Sequence, residues 1–244
     1  MNDLKFNSKL VVITGVTQGL GEAMLGEFYA RGFTVVGCAR NSMKLAELST
    51  KYLNGEFYIV NVSSHAEVQR WVNNLVVKFG VPKFIINNAS IIDEPKQPFE
   101  LADINNLTNV IQVNLFGAMY VVHALLPFVK HYPGQTTIIN ISSGWGRSPE
   151  AGLAAYCASK YALEGFTGVI AKENEGVVTI VSLDPREGVA TGMLAKCVDK
   201  AYYDSCPSAD EWAKTAVPYI MKILPKQSGE KLTVPEILNK RKLG

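Results

Sequence analysis

LVVITGVTQGLG, residues Leu10–Gly21, decides the fold. Its first half is an unbroken apolar, β-branched run. Its second half carries three glycines, Gly15, Gly19 and Gly21, spaced Gly-x3-Gly-x-Gly. Apolarity without alternation is expected of a strand covered by helices on both faces. The residues that follow, Leu20 to Arg31, read as a helix. Strand, glycine turn and helix in that order make a phosphate cradle. Gly15 lets the chain turn off the strand, Gly19 lets the backbone approach a pyrophosphate, and Gly21 lets the helix pack closely on the sheet. Around Thr17, Gln18 and Leu20 the helix start offers free N–H groups and a partial positive charge. The alternative is a βα turn whose glycines serve packing only.

The same alternation runs along the chain. Strands are expected at Phe33–Cys38, Glu56–Val62, Lys83–Ala89, Thr136–Ser142 and Val177–Leu183, with a last one in EKLTVP near the C-terminus. Helices are expected at Met43–Ser49, His65–Phe79, Ile104–Lys130 and Ala154–Glu173. This predicts the α/β class: one Rossmann-type domain over residues 1–244, a doubly wound parallel sheet with helices on both faces. Residues 191–207 fit no regular element. They follow the sixth strand, at the carboxyl ends where ligands bind, and read as a substrate lid.

Composition narrows the function. Apolar residues make up 48% of the 244, enough for a large core. The formal charge is only +2 and the basic residues form no long run, so charge supports neither a nucleic-acid nor a membrane partner. The final NKRKLG reads as a solvated end. The N-terminus lacks the apolar core of a signal peptide, and no apolar run approaches the roughly 20 residues that span a bilayer. Cys38, Cys157, Cys197 and Cys206 show no CxxC spacing, which predicts free thiols in a reducing, cytoplasmic setting. His65, His123 and His131 are scattered, and no metal is expected.

AAYCASK, Ala154–Lys160, sets Tyr156 and Lys160 one helical turn apart on one face. The spacing suits an acid–base pair, and equally a surface pair. An ammonium 4 Å from a phenol at an effective dielectric of 20 attracts the phenolate by about 4 kcal/mol before desolvation, so a pKa drop of a few units is physically reachable. About 20 positions past the glycines, where a carboxylate would accompany NAD, the chain reads GCARNS. Ala39 supplies no acid. Arg40 can pair with a 2′-phosphate, with Asn41 and Ser42 adding hydrogen bonds, which favours NADP(H). The alternative is an Arg40 on a solvated loop.

With NNAS at Asn87–Ser90, VNLFG around Asn114, NISSGWG around Ser143 and YCASK, the glycine spacing resembles the short-chain dehydrogenase/reductase family over the whole chain. The resemblance implies a carbonyl or alcohol as substrate. It implies Tyr156 as proton donor, Lys160 as its activating cation and ribose ligand, Ser143 as holder of the carbonyl oxygen, and Asn114 as holder of a water that links Lys160 to solvent. It puts Asn61 and Val62 at the adenine, Asn88 and Ala89 beside the cofactor, and Pro185, Val189 and Thr191 at the carboxamide. It also implies a homodimer or homotetramer built on the helices after Ile104 and Ala154. The chain departs from the family pattern at Asn61 (usually Asp), at Ser90 (usually Gly), and in LDPREGVATGM, where Arg186 and Glu187 precede Gly188 and the usual motif is PG.

GCARN and SGWGRS with YCASK look similar to plant-type NADPH-dependent pterin aldehyde reductases. Trp145 would then stack on a flat substrate or pack on the protein, and Tyr202, Tyr203 and Trp212 could add aromatic surface. Two other functions stay open: an NAD-linked alcohol or steroid dehydrogenase, and a non-catalytic NADPH-sensing module.

Overall fold

The run at Leu10 lies within strand β1, Phe6–Thr14, at the centre of a parallel sheet. The structure, a computed structural model, describes residues 4–186 and 188–237. The basic tail NKRKLG and Glu187 of the departing loop lie outside those residues. Along the chain follow α1 (Gly19–Ala30), β2 (Thr34–Ala39), α2 (Ser42–Lys51), β3 (Glu56–Ile59), α3 (His65–Phe79) and β4 (Val81–Asn87). Then come α4 (Ile104–Ile111), α5 (Gly117–Val129), β5 (Thr137–Ile141), α6 (Ala154–Glu173), β6 (Thr179–Asp184), α7 (Lys200–Ser205), α8 (Ala209–Ile220) and β7 (Lys231–Thr233). Among the described residues the strand order is β3-β2-β1-β4-β5-β6-β7, all parallel. The order reverses between β1 and β4, and such a switch point opens a crevice at the carboxyl ends.

Strand side chains alternate between faces, and both faces are covered. Val11 and Ile13 pack with Met24, Leu25 and Phe28 of α1 and with Val217 and Ile220 of α8. Leu10 and Val12 pack on the other side with Val72 and Leu75 of α3 and Val121 and Leu125 of α5. Two apolar layers account for the absence of alternation in the sequence.

Three expectations change. Residues 104–130 are not one uniform helix: a π-turn, Gln112–Phe116, separates α4 from α5. The run Ile104–Val129 is also long and apolar enough, by length and composition, to cross a membrane, contrary to the sequence reading. Half of its most apolar window is buried inside the protein. The region 191–207 is partly regular, with a 3-10 turn at Leu194–Lys196 and α7, whose first turn is capped by Asp199 accepting from Tyr202 N–H (2.9 Å). α8 follows at once, its start fixed by a capping box between Ser208 and Glu211.

Candidate active site

The crevice at the switch point is a cleft of about 1300 Å³. Its walls bring together nearly every residue singled out by the sequence: Gly15, Thr17, Gln18, Gly19 and Leu20 at one end, Ser143, Trp145, Tyr156 and Lys160 at the other. Arg40, Asn61, Val62, Asn88, Ala89, Pro185, Val189 and Thr191 line the stretch between and around them. Gly21 and Asn114 do not line it and act from behind.

The glycine loop is built by close approach. Gly15 has φ +74°, and a Cβ there would come within 2.8 Å of Ala89 Cα. A Cβ on Gly21 would sit 2.1 Å from the Gly15 carbonyl oxygen and 2.5 Å from Asn88 Nδ2. Gly21 therefore serves the contact of helix start with loop start, more than the contact with the sheet that its position suggests. Asn88 fastens the loop, donating Nδ2 to the carbonyls of Thr14 (2.9 Å) and Gly15 (3.1 Å). Thr14 Oγ1 in turn accepts from the N–H groups of Asn88 and Ala89, both at 3.0 Å. α1 has no side-chain cap at Gln18, so its first N–H groups face the cleft uncapped, as an anionic diphosphate requires. Thr191 closes over the loop: its methyl would lie 3.4 Å from a Cβ at Gly19.

At the end of β2, Arg40 is exposed and Lys44, which the sequence reading passed over, lines the cleft beside it. Asn41 is spent on capping α2, accepting from Lys44 N–H at 3.1 Å. Asn61 accepts from Ser63 Oγ (2.8 Å) and donates its own N–H to Glu67. Ser90 lines the cleft with its buried hydroxyl unpartnered. This end offers free helix N–H groups, an exposed Arg40 and, beside it, Lys44, whose ammonium pairs with Glu47 (2.8 Å); Glu22 also lines the cleft.

At the other end Tyr156 is buried, with Trp145 edge-on to it, ring centroids 6.0 Å apart. Lys160 is buried too. Its ammonium donates to the Ile141 carbonyl (2.8 Å) and stands 5.5 Å from the Tyr156 ring centre. Burial pushes Lys160 down to about 8. The expected lowering of Tyr156 does not hold: burial pushes the phenol up, and the hydrogen bond with Ser143 offsets only part of that. Burial costs the charged form of both groups. Asn114, buried in the π-turn, accepts from Ile91 N–H (2.8 Å) and donates to Ile91 O (2.8 Å) and Ser159 Oγ (3.1 Å).

The loop after β6 departs from expectation in a telling way. Arg186 follows Pro185 and has φ +78°, the left-handed region that favours glycine. So Arg186 takes, directly after Pro185, a conformation that glycine adopts without strain. It is held by its N–H on Asp184 (3.0 Å) and its Nε on Val234 O (2.7 Å). The aromatic expectations divide. Tyr202 lines the cleft, Tyr203 does not, and Trp212 is fully buried in the core, donating Nε1 to Pro185 O (3.0 Å).

Sequence reasoning missed a charged network behind the serine. Glu164 of α6 accepts from Ser142 Oγ (2.7 Å) and Arg147 Nε (2.8 Å) and lies 3.2 Å from Lys231 Nζ. Arg147 also donates to Thr233 Oγ1 (2.8 Å) and Leu232 O (2.9 Å) and stands 3.8 Å from Asp184. It is thus a structural tie and does not face a substrate. Burial raises the Asp184 carboxyl.

Residues 9–201 match the family described as short chain dehydrogenase. The NADPH-dependent pterin aldehyde reductase of Arabidopsis thaliana is 35% identical over 231 residues, covering 93% of each chain. The benzil reductase ((S)-benzoin forming) of Bacillus cereus is 30% identical, covering 80% of this chain and 82% of that one. Among solved structures, the 3-ketoacyl-(acyl-carrier-protein) reductase of Brucella melitensis complexed with NADH superposes with a TM-score of 0.80 at 27% identity, covering 93% of this chain and 96% of the other.

Proposed function

Since the chain belongs to the short-chain dehydrogenase family, we propose that it is an NADPH-dependent reductase of an aldehyde or ketone, with Tyr156 as proton donor. The observation that carries this reading is the placement of the Tyr156 phenol: it lines the cleft together with Ser143 and Lys160, whose ammonium stands 5.5 Å from its ring centre, and it is protonated at neutral pH as phenols are. A reduction needs a donor that arrives protonated.

The helix start at Gly19, the loop from Gly15 to Leu20 and the residues Asn88 and Ala89 would hold the diphosphate, and Arg40 and Lys44 the 2′-phosphate. When bound, the nicotinamide supplies the hydride that reaches the carbonyl carbon. Ser143 orients the carbonyl oxygen, and Tyr156 gives that oxygen its proton, leaving an alcohol and a phenolate. Lys160, with an ammonium pushed down to about 8, can return a proton to the phenolate. In this reading a water at Asn114 connects Lys160 to solvent.

The substrate class we favour is a flat heteroaromatic aldehyde such as a pterin aldehyde. The Arabidopsis relative supports it by its name, and Trp145 supports it by lining the cleft edge-on to Tyr156. Arg40, and the want of a carboxylate on the described residues at the end of β2, weigh against an NAD-linked alcohol or steroid dehydrogenase. We also propose a homodimer or homotetramer, supported by Phe99 and Leu101 in the 3-10 turn before α4 and Ile104 at its start, each about two-thirds exposed, and by exposed Tyr161 and Val169 on α6. The free cysteines suit a reducing, cytoplasmic setting.

The test is NADPH and NADH oxidation, followed by absorbance, over a panel that includes a pterin aldehyde and benzil, with Tyr156→Phe beside the native chain. NADPH turnover that falls about 10²- to 10⁴-fold in the variant is expected. Tight NADPH binding without turnover on any carbonyl would instead favour the sensing module.

A further inference from the structure

Tyr156 is the third residue of α6, within the turn whose N–H groups have no partner inside the helix. α6 lacks a cap of its own, because Leu153 at its N-cap has no side-chain oxygen. α2, α3, α4, α7 and α8 are each capped by a neighbouring polar side chain: Asn41, Ser64, Asp103, Asp199 and Ser208. For α6 the cap comes from the loop after β4. Asp93 is buried, and its two carboxylate oxygens accept from consecutive N–H groups, Ala155 at 3.1 Å and Tyr156 at 2.8 Å.

The surroundings are shaped for this contact. Ile92 packs with Leu153, Ala155 and Tyr156 in one buried cluster. Gly152 has φ +79°, and a Cβ on it would come within 2.8 Å of Lys96 Cγ and 3.1 Å of Gln97 N, so the segment from Asp93 runs close against the entry to α6. Lys96 pairs with Glu150 at 2.5 Å, on the chain that leads into the helix. On its other side the Tyr156 peptide is held as well. Its carbonyl accepts from Ser159 Oγ (2.7 Å), and Ser159 accepts from Asn114. Asn114 also grips Ile91, two residues before Asp93. A carboxylate suits this place because it has an oxygen for each of two adjacent donors and its charge complements the positive end of the helix.

We propose that Asp93 is a positioning residue for the reduction: it fixes the first turn of α6 and so aims the Tyr156 hydroxyl into the cleft. The inference rests on the role given to Tyr156 above. Removing the cap lets the first turn shift without touching the cofactor end, and a shift of about 1 Å at a reacting group costs up to about a hundredfold in rate.

The experiment measures kcat and KM for the best carbonyl, NADPH Kd by fluorescence titration, and Tm, in Asp93→Ala, Asp93→Asn and Tyr156→Phe. In Asp93→Ala, kcat is expected to fall about ten- to a hundredfold, with KM and NADPH Kd within about twofold. Asp93→Asn, whose amide oxygen still accepts from one N–H, is expected to recover part of the loss. If Asp93→Ala does not fold, Asp93→Asn decides by the same split between kcat and KM. A kcat within about twofold of native in the folded variant overturns the inference, as does a parallel loss of kcat, substrate affinity and NADPH affinity, which marks a merely structural role. Full turnover in Tyr156→Phe, or none in the native chain, sinks the reading of the site and this inference with it. A dead Tyr156→Phe beside a fully active Asp93→Ala sinks the inference alone.

Discussion

Lys160 stands with its ammonium 5.5 Å from the centre of the Tyr156 ring and 2.8 Å from the Ile141 carbonyl, in a site from which both side chains are almost wholly closed to solvent. Two groups that each lose by being charged there are left as a protonated phenol and a weakened ammonium. Stability must therefore depend on pH at Lys160. The folded chain gives up this proton near pH 8 and the unfolded chain near 10.5. Between those values the unfolded state binds more protons, so this residue's contribution to stability rises with pH across the window and is most unfavourable below it. The Tm of the native chain minus that of Lys160→Met is expected to increase by a few degrees from pH 8 to 10. The difference matters because Cys38, pushed up to about 12 by burial, acts with the opposite sign above about 9. A difference that stays flat with pH would mean that Lys160 is not held as an ammonium in a dry site.

Arg40 sits exposed at the end of β2, where it can meet a 2′-phosphate and contributes nothing to the fold's core. Replacing it with Ala is expected to weaken NADPH about tenfold or more, the worth of a charge-assisted contact, and to leave NADH within about twofold. Equal weakening of both cofactors, or of neither, would refute the phosphate role.

Glu164 is buried, accepting from Ser142 and Arg147 with Lys231 near its other oxygen, and Arg147 is the closest cation. Arg147→Ala leaves that buried carboxylate with only the Ser142 hydroxyl and the exposed Lys231, and loss of one partner of a buried pair costs about 3–5 kcal/mol. Tm is expected to drop by about 10 °C in a chain of this length. Arg147→Lys should recover little, since one ammonium cannot reach Glu164, Thr233 and Leu232 together. A drop below about 3 °C in Arg147→Ala would show that the network is not under tension from burial.

Gly21→Ala would drive a methyl to 2.1 Å from the Gly15 carbonyl. The nearest atoms include backbone that no side-chain rotation relieves, and Asn88 Nδ2 would be 2.5 Å away, so the glycine loop itself must move. A loss of about 2 kcal/mol or more and of measurable NADPH binding is expected, read by thermal melting and by fluorescence titration. Unchanged NADPH affinity would show that the loop tolerates the shift.

Much of this was legible in the residues. The glycine spacing after an apolar run gave the cradle, and Tyr156, Lys160 and Ser143 meet where the family resemblance implied. The start of α8 is legible too: SADE, Ser208–Glu211, is a capping box, and its helix buries Trp212 in the core, away from the substrate cleft. Other features had no local signal. Asp93 and Tyr156 are 63 positions apart, and nothing in IIDEP announces a helix cap for a distant segment. Arg186 reads as an insertion before Gly188 until its positive φ shows that it takes a conformation glycine adopts without strain. The rise of Tyr156 was hidden because a pair of charges can be counted in sequence, whereas the water withheld from them depends on packing.

The tie between Arg147 and β7 bears on the order in which a ribosome delivers this site. By the time Lys160 has emerged, the glycine loop, Asn114, Ser143 and Tyr156 have all been made, and six of the seven strands are complete by Asp184. Yet Arg147 finds two of its acceptors only at Leu232 and Thr233, Glu164 meets Lys231, and Arg186 rests its guanidinium on Val234. A nascent chain some 230 residues long thus owns every side chain given a part in the proposed reduction and still lacks the strand that locks their backing in place. Residues 231–234 are the keystone of a wall whose other stones were laid much earlier.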